Sequence, residues 1–257
     1  MKYKLLAVST QEQVNIGDYI QALASAQFLP KIDGFIQREE LKDYNNEECK
    51  VIMNGWYMHH PEQWPPSPNI HPLFVAFHLN SSVKKELLNE KSIAYLRKHE
   101  PIGCRDTYSR DLLLEKGIDA YFSGCMTLTL GQSYCSVQKD DKCYFVDPFY
   151  LRNTKFTKKL QNVLYFLTHW KTIRIITNKM VRTRRIRIGD IMSATAFYIL
   201  YSKVFTKETL LNAEYITQQS THYKEFFKSD EERLKEATRL VNKYARAKLV
   251  VTSRIHC

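Results

Sequence analysis

No apolar run among the 257 residues approaches the ~20 that a membrane-crossing helix requires. The opening MKYKLLAVST holds only a short apolar stretch and no small-residue cleavage site, which predicts a first strand and not a signal peptide. Paired cysteines are missing too. Cys49, Cys104, Cys125, Cys135, Cys143 and Cys257 stand apart, none in a C-x-x-C, and no pair of histidines has zinc spacing. His59-His60 lacks a third ligand, so no metal is expected. Scattered single cysteines in a chain of this size point to a reducing compartment, which makes the cytoplasm the default. There is no G-x-G-x-x-G and no P-loop, which weakens any claim of nucleotide binding. Internal repeats and low-complexity tracts are absent as well.

What is present describes a globular protein. Hydrophobic residues make up 44% and charged residues 25%, a balance that fills a core and argues against disorder away from the ends. The length fits one large domain or two small ones. The formal charge is +11, an excess that suits nucleic acid, an anionic membrane face or an anionic small molecule. It is concentrated at Lys171, Arg174, Lys179, Arg182, Arg184, Arg185 and Arg187. Such a run is a solvated face, or a contact for anionic lipid headgroups or a charged polymer.

Along the chain, the apolar run Lys4–Thr10 is followed by Asn15-Ile16-Gly17-Asp18, after which Ile20, Leu23, Ala24 and Phe28 recur with helical period. This is strand, glycine turn and helix, the opening unit of a Rossmann-like sheet. Further strands are predicted at Val51–Asn54, Leu73–Phe77, Pro101–Arg105 and Ala120–Ser123, with helices over Glu90–His99 and Tyr108–Gly117 between them. The alternation predicts a parallel, doubly wound sheet. Polar Gly131–Lys142 reads as a linker, giving a first lobe over residues 1–135 and a second over 136–257. In the second, strands are predicted at Cys143–Val146 and Ile173–Thr177, and helices over Phe156–His169, Ile188–Phe205 and Asp230–Arg246. Ser229 and Glu232 have capping-box spacing at the start of the last helix. Lys248–Thr252 has the pattern of a buried parallel strand. Because the chain stops just after it, where open α/β sheets place ligands, a second lobe truncated at its C-terminus is expected.

Three constellations offer chemistry. Asn15, Gly17 and Asp18 stand at a strand-to-helix turn, where glycine permits close approach and the helix N-terminus offers free N–H groups. Arg105, in Gly103-Cys104-Arg105-Asp106, follows a strand and can present a two-pronged donor to a carboxylate or phosphate, or form a surface pair with Asp106. In Ser253-Arg254-Ile255-His256, strand alternation would put Arg254 and His256 on one side. His256, with an ordinary pKa near ~6.5, is then a usable acid or base. Cys125 has no sequence-adjacent partner that would make it a nucleophile, and His222 reads as a loop contact.

Taken together, NIGD near the start, GCRD followed by a helix and a glycine, SGCMTLTL, and the terminal AKLVVTSRIHC resemble the polysaccharide pyruvyltransferase family in order and separation. The resemblance runs from about Lys4 to the last residue and is poorest from Phe145 to about Tyr215. It implies two Rossmann-like lobes in the glycosyltransferase-B-like arrangement. It also implies transfer of a pyruvyl group from phosphoenolpyruvate to two hydroxyls of a sugar in a cell-surface polysaccharide or its lipid-linked precursor, forming a ketal. By that resemblance Arg105 and Arg254, with Ser253, hold the donor's anionic groups, and His256 is the acid/base or a phosphate contact. Asn15, Gly17 and Asp18 line the cleft from the first lobe. The donor is a substrate, no cofactor or nucleic acid is implied, and the basic run would rest the enzyme peripherally on the inner membrane face. Two other readings stay open on the residues alone: a glycosyltransferase with a nucleotide-sugar donor, and a non-catalytic protein binding an anionic polymer through residues 171–187.

Overall fold

The computed structural model describes residues 1–9, 14–149, 156–181, 186–220 and 223–256, and for 156–161 the backbone alone. Arg182, Arg184, Arg185, His222 and Cys257 therefore lie outside the described residues. The chain is α/β and divides into two compact units. Met1–Cys135 with Gln219–Asn242 and His256 form the first, and Ser136–Gln218 with Lys243–Ile255 form the second.

The first unit opens with β1 (Lys2–Ala7), whose last three residues are buried. Helix α1 (Ile16–Ala26) starts where the Asn15 side chain accepts from Gly17 N at 3.0 Å, satisfying one free donor of the helix start. The following strands are β2 (Phe35–Gln37), β3 (Cys49–Ile52), β4 (Gly55–Tyr57), β5 (Ile70–Leu73), β6 (Phe77–Leu79), β7 (Ile102–Cys104) and β8 (Ala120–Phe122). They form two four-stranded parallel ladders, β2-β1-β3-β5 and β4-β6-β7-β8. Met53 N donates to Leu73 O at 2.8 Å and Gly55 N to Ala76 O at 3.1 Å, which carries the first ladder into the second. The order reverses beside β1, between the strand that leads outward and β3, and ligands of open parallel sheets bind at such a point.

The single strand expected over Leu73–Phe77 is instead broken. Ala76 takes a positive φ of 58°, and its N–H leaves the ladder to donate to Ser123 Oγ at 3.0 Å. Helices α2 (Glu90–Arg97) and α3 (Thr107–Glu115) fall where the periodicity puts them, and Gly117 closes the second with φ +67°. Between sheet and helices lie Tyr57, Trp64, Phe74 and Phe77. The Trp64 ring sits 5.6 Å from Tyr57 and 5.9 Å from Phe77, edge and tilted contacts worth ~0.5–1.5 kcal/mol each beyond their buried area.

The second unit has a three-stranded parallel sheet, β9 (Cys143–Val146) between β10 (Glu214–Ile216) and β11 (Leu249–Thr252). Strand β11 was expected to be buried. Among the described residues it pairs on one side only, and Leu249 and Thr252 are exposed. Two predictions between β9 and β10 are overturned together. Helix α4 spans Phe156–Met180, so Ile173–Thr177 is helical and not a strand. Ile173 and Ile176 are fully buried while Ile175 is 45% exposed, a helical period that β-branched content alone concealed. The helix kinks at His169 (φ −118°), where the Thr168 hydroxyl donates to Tyr165 O at 2.9 Å and the His169 ring lies 3.1 Å from the same carbonyl. Helix α5 (Ile188–Tyr201) ends short of the expected Phe205. Phe145 fills the core between Phe197 (5.1 Å) and Tyr215 (5.5 Å).

Helix α6 (Asp230–Arg246) forms as its pattern predicts, with Ala237 and Leu240 fully buried. Ser229 Oγ accepts from Glu232 N at 3.2 Å, but the Glu232 carboxylate takes Lys228 N, one residue upstream of a standard capping box. The Asp230 carboxylate is also used in packing, accepting from Tyr19 Oη at 2.6 Å and Gln37 Nε2 at 2.9 Å within the first unit.

Candidate functional site

In the first unit a small group of ionisable side chains, Arg38, Glu39, His59 and Arg105, acts on Asp18 at the start of α1. Asp18 lies on the helix's first turn and accepts Gln21 Nε2 at 3.1 Å. Part of the residue stays open, yet the protein packs closely about the carboxyl. Burial raises its pKa above the ordinary aspartate value, and the nearby Arg38, Arg105 and His59 only partly offset this.

Arg105 leaves the end of β7 at a position that Gly103 makes possible. A Cβ at Gly103 would stand 2.8 Å from Tyr121 Oη and 3.0 Å from Phe74 O. The surface pair with Asp106 does not form. Asp106 turns away to cap α3, accepting Ser109 N at 2.8 Å, and to bind the His78 ring. The Arg105 guanidinium makes no hydrogen bond or ion pair among the described residues, and burial lowers its pKa. His256 belongs to the same unit. Burial first, and the Arg105 charge second, lower its pKa to about 4, so its imidazole is neutral at neutral pH.

Two members of this cluster were missed by sequence reasoning. Arg38 and Glu39 follow β2 and are 4% and 3% exposed. Glu39 accepts Arg38 Nε at 2.9 Å on one oxygen and the His59 and His60 N–H groups, each at 2.8 Å, on the other. The Arg38 guanidinium lies 5.4 Å from the centre of the Trp56 ring, and its two terminal nitrogens make no hydrogen bond among the described residues. The available signal was an Arg-Glu-Glu run set directly after a short apolar strand, where charge is not ordinarily buried.

Ser253 and Arg254 belong to the second unit. Strand β11 ends at Thr252, so the alternation expected to align Arg254 with His256 does not reach them. Arg254 Nε instead binds Asp147 Oδ2 at 2.8 Å, and Ser253 Oγ donates to Asp147 O at 2.6 Å. Asp147, with φ +39°, also accepts Gln218 N at 3.0 Å. Asp147, Ser253 and Arg254 line a cavity of ≈ 530 Å³ outside the carboxyl ends of β9, β10 and β11, with Asp190 and Ser193 of α5 and the exposed Phe149. Asn15 and Gly17 hold the α1 start, and Cys125 Sγ lies 3.1 Å from Thr127 Oγ1, with no base bonded to it among the described residues.

The cluster in the first unit combines a carboxyl whose pKa burial raises, two guanidinium groups with donors that make no hydrogen bond among the described residues, and an imidazole that is neutral at neutral pH. Such a set has the chemistry to bind an anion and to exchange a proton. Among the described residues no group of three or more His, Cys, Asp or Glu is placed to hold a metal ion. No described helix is long and apolar enough to cross a membrane. A family model described as polysaccharide pyruvyl transferase matches residues 15–257. No curated protein and no solved structure matches the chain.

Proposed function

The chain belongs to the polysaccharide pyruvyl transferase family, and from that premise we propose that it moves the pyruvyl group of phosphoenolpyruvate onto two hydroxyls of one sugar, forming a ketal. The acceptor in this proposal is a cell-surface polysaccharide or its lipid-linked precursor. The chain works in the cytoplasm on two Rossmann-like lobes of glycosyltransferase-B-like type, and needs no resident cofactor.

The observation that carries the proposal is the buried Arg105 guanidinium after β7, which feels the charge of Asp18 at the start of α1 and makes no hydrogen bond or ion pair among the described residues, with Arg38 also acting on Asp18. The donor has a carboxylate and a phosphate, and the guanidinium nitrogens left without a hydrogen bond among the described residues, all of those of Arg105 and the two terminal ones of Arg38, suit both. In the reaction C3 of the donor gains a proton, a first hydroxyl oxygen bonds to C2, the C2–O bond to phosphate breaks, and the second hydroxyl oxygen takes its place. One hydroxyl proton ends on C3 and the other on phosphate, so the atoms balance without a further reactant. Asp18 is assigned the proton donor, since burial favours its protonated form. His256, neutral at rest, is assigned the base that accepts a hydroxyl proton. Within the second unit, Arg254, oriented by Asp147, and Ser253 are assigned to binding an anionic or hydroxyl group of a substrate.

Phosphate release from phosphoenolpyruvate, measured with a panel of nitrophenyl and lipid-linked sugars, tests this. Acceptor-dependent release is expected in the wild type. Arg105→Ala should raise the KM for phosphoenolpyruvate by roughly 10- to 100-fold, the loss of one charge-assisted contact of ~1.5–3 kcal/mol. Asp18→Asn and His256→Ala should lower kcat by roughly 10²–10⁴-fold. No release with any sugar, no calorimetric binding of phosphoenolpyruvate and competition by nucleoside diphosphates would replace this function with nucleotide-sugar transfer.

A further inference from the structure

The charge of this chain has one source. Between Pro148 and Gly189 there are 11 Lys and Arg and no Asp or Glu, so this segment alone accounts for the net +11 and the rest of the chain is balanced. A solvated helix of a globular protein mixes both signs on its outer face. Here α4 carries none of one sign over its whole length.

Its exposed residues fall on one stripe, stepping by three or four positions through Leu164, Leu167, Trp170, Lys171, Arg174 and Ile175 and continuing across the kink at His169. The opposite side, with Ile173 and Ile176, is buried in the core of the second unit. A single exposed leucine needs no explanation. Leu164 and Leu167 stay 57% and 59% exposed one turn apart, with Trp170 a turn further on, and that is a patch. Lys171 Nζ lies 5.8 Å from the Trp170 ring, so the cation and the aromatic share one place on the stripe. Apolar side chains beside an indole, bordered by basic groups and free of carboxylates, suit the boundary between anionic headgroups and acyl chains. A purely electrostatic surface for a polyanion would have no use for the leucines, and a surface for an acidic protein would expect polar groups between the basic ones.

We propose that the outer stripe of α4 docks the protein on an anionic phospholipid bilayer. Leu164, Leu167 and Trp170 sink to the level of the upper acyl chains, while Lys171 and Arg174 meet the headgroups. The helix lies on the membrane, since it is not long and apolar enough to cross one. The surface stands independently of the proposed reaction, and it would bring an enzyme with a lipid-linked acceptor to the place where that acceptor is held.

Sedimentation of the full chain with vesicles of mixed phosphatidylglycerol and phosphatidylcholine, against pure phosphatidylcholine, tests the proposal directly. Partitioning is expected with the anionic vesicles and should fall as salt is raised. Brominated acyl chains should quench fluorescence in the wild type and not in Trp170→Phe. Leu164→Glu with Leu167→Glu should lower partitioning at least about tenfold, and Lys171→Glu with Arg174→Glu by roughly tenfold. These positions are exposed, so each variant should keep the wild-type thermal midpoint. Absence of anionic-vesicle binding, or binding unchanged by the leucine substitutions, overturns the proposal. Binding that heparin abolishes while Trp170 stays unquenched would make the stripe a polyanion surface. A dimer in sedimentation velocity that the leucine substitutions dissociate would make it a contact between two copies, and either result also overturns the proposal.

Discussion

His256 shows how one side chain carries both a functional and a stability consequence. Its pKa is lowered to about 4 from the ordinary value near 6.5, by burial first and by the Arg105 charge second. In the unfolded chain the imidazole binds a proton as pH falls through about 6.5, whereas in the folded chain it resists until about 4. The unfolded state therefore binds more protons across that window. The contribution of the neutral His256 is fully present above about 6.5 and is lost as pH falls toward 4. Urea denaturation of His256→Gln should show a flatter decline of stability across this window than the wild type. Arg105→Ala should move the His256 titration upward in a proton NMR experiment, and only part of the way, because burial remains. An unchanged titration in that variant would separate His256 from Arg105 and dissolve the cluster in which both are placed. For Asp18 the sign is opposite. Burial raises its pKa, so its ionisation on going to higher pH costs the folded state.

Among the elements, β7 and the turn after it illustrate how tightly a site is built into its scaffold. Gly103 lies where Tyr121 Oη and Phe74 O leave no room for a Cβ, and the next residues deliver Arg105 to the cluster and Asp106 to the α3 cap. Gly103→Ala should cost about 1–3 kcal/mol by urea denaturation, since the overpacked strand must shift. It should also raise the KM for phosphoenolpyruvate by displacing Arg105. A variant with wild-type stability and KM would show that the strand yields without moving its arginine. Much at this scale was legible in the sequence, because α1, α3, α6 and β9 rest on periodicity and on capping residues whose effects are local. What was not legible depends on partners distant in sequence. The Leu73–Phe77 strand breaks because Ser123 captures the Ala76 N–H, and Ile173–Thr177 is helical because its neighbours bury Ile173 and Ile176 together. The candidate site divides the same way. Asp18 and Arg105 stand in motifs at element ends, whereas Arg38 is held by its neighbour Glu39, which His59 and His60 fix from another segment, and lies against Trp56.

For the whole molecule, the consequence lies in chain order. The first unit is not finished at Cys135, since it takes in Gln219–Asn242 after the chain has built most of the second. The returning segment supplies an antiparallel pair, Gln219–Ser220 with Val14–Asn15, and the first turns of α6. Tyr19 is fully buried, and its hydroxyl depends on Asp230 at 2.6 Å, as does Gln37 at 2.9 Å. Removing residues beyond 135 would leave that phenol without its acceptor, at a cost of ~1–3 kcal/mol for the orphaned group. It would also uncover the apolar surface that Ala237 and Leu240 meet. A fragment of residues 1–135 should therefore lack a cooperative urea transition and bind a hydrophobic dye. Adding a peptide of residues 219–242 in trans should restore a transition, and Asp230→Ala in that peptide should weaken the rescue. A fragment that unfolds cooperatively alone would mean that the sheet of the first unit suffices for its own stability.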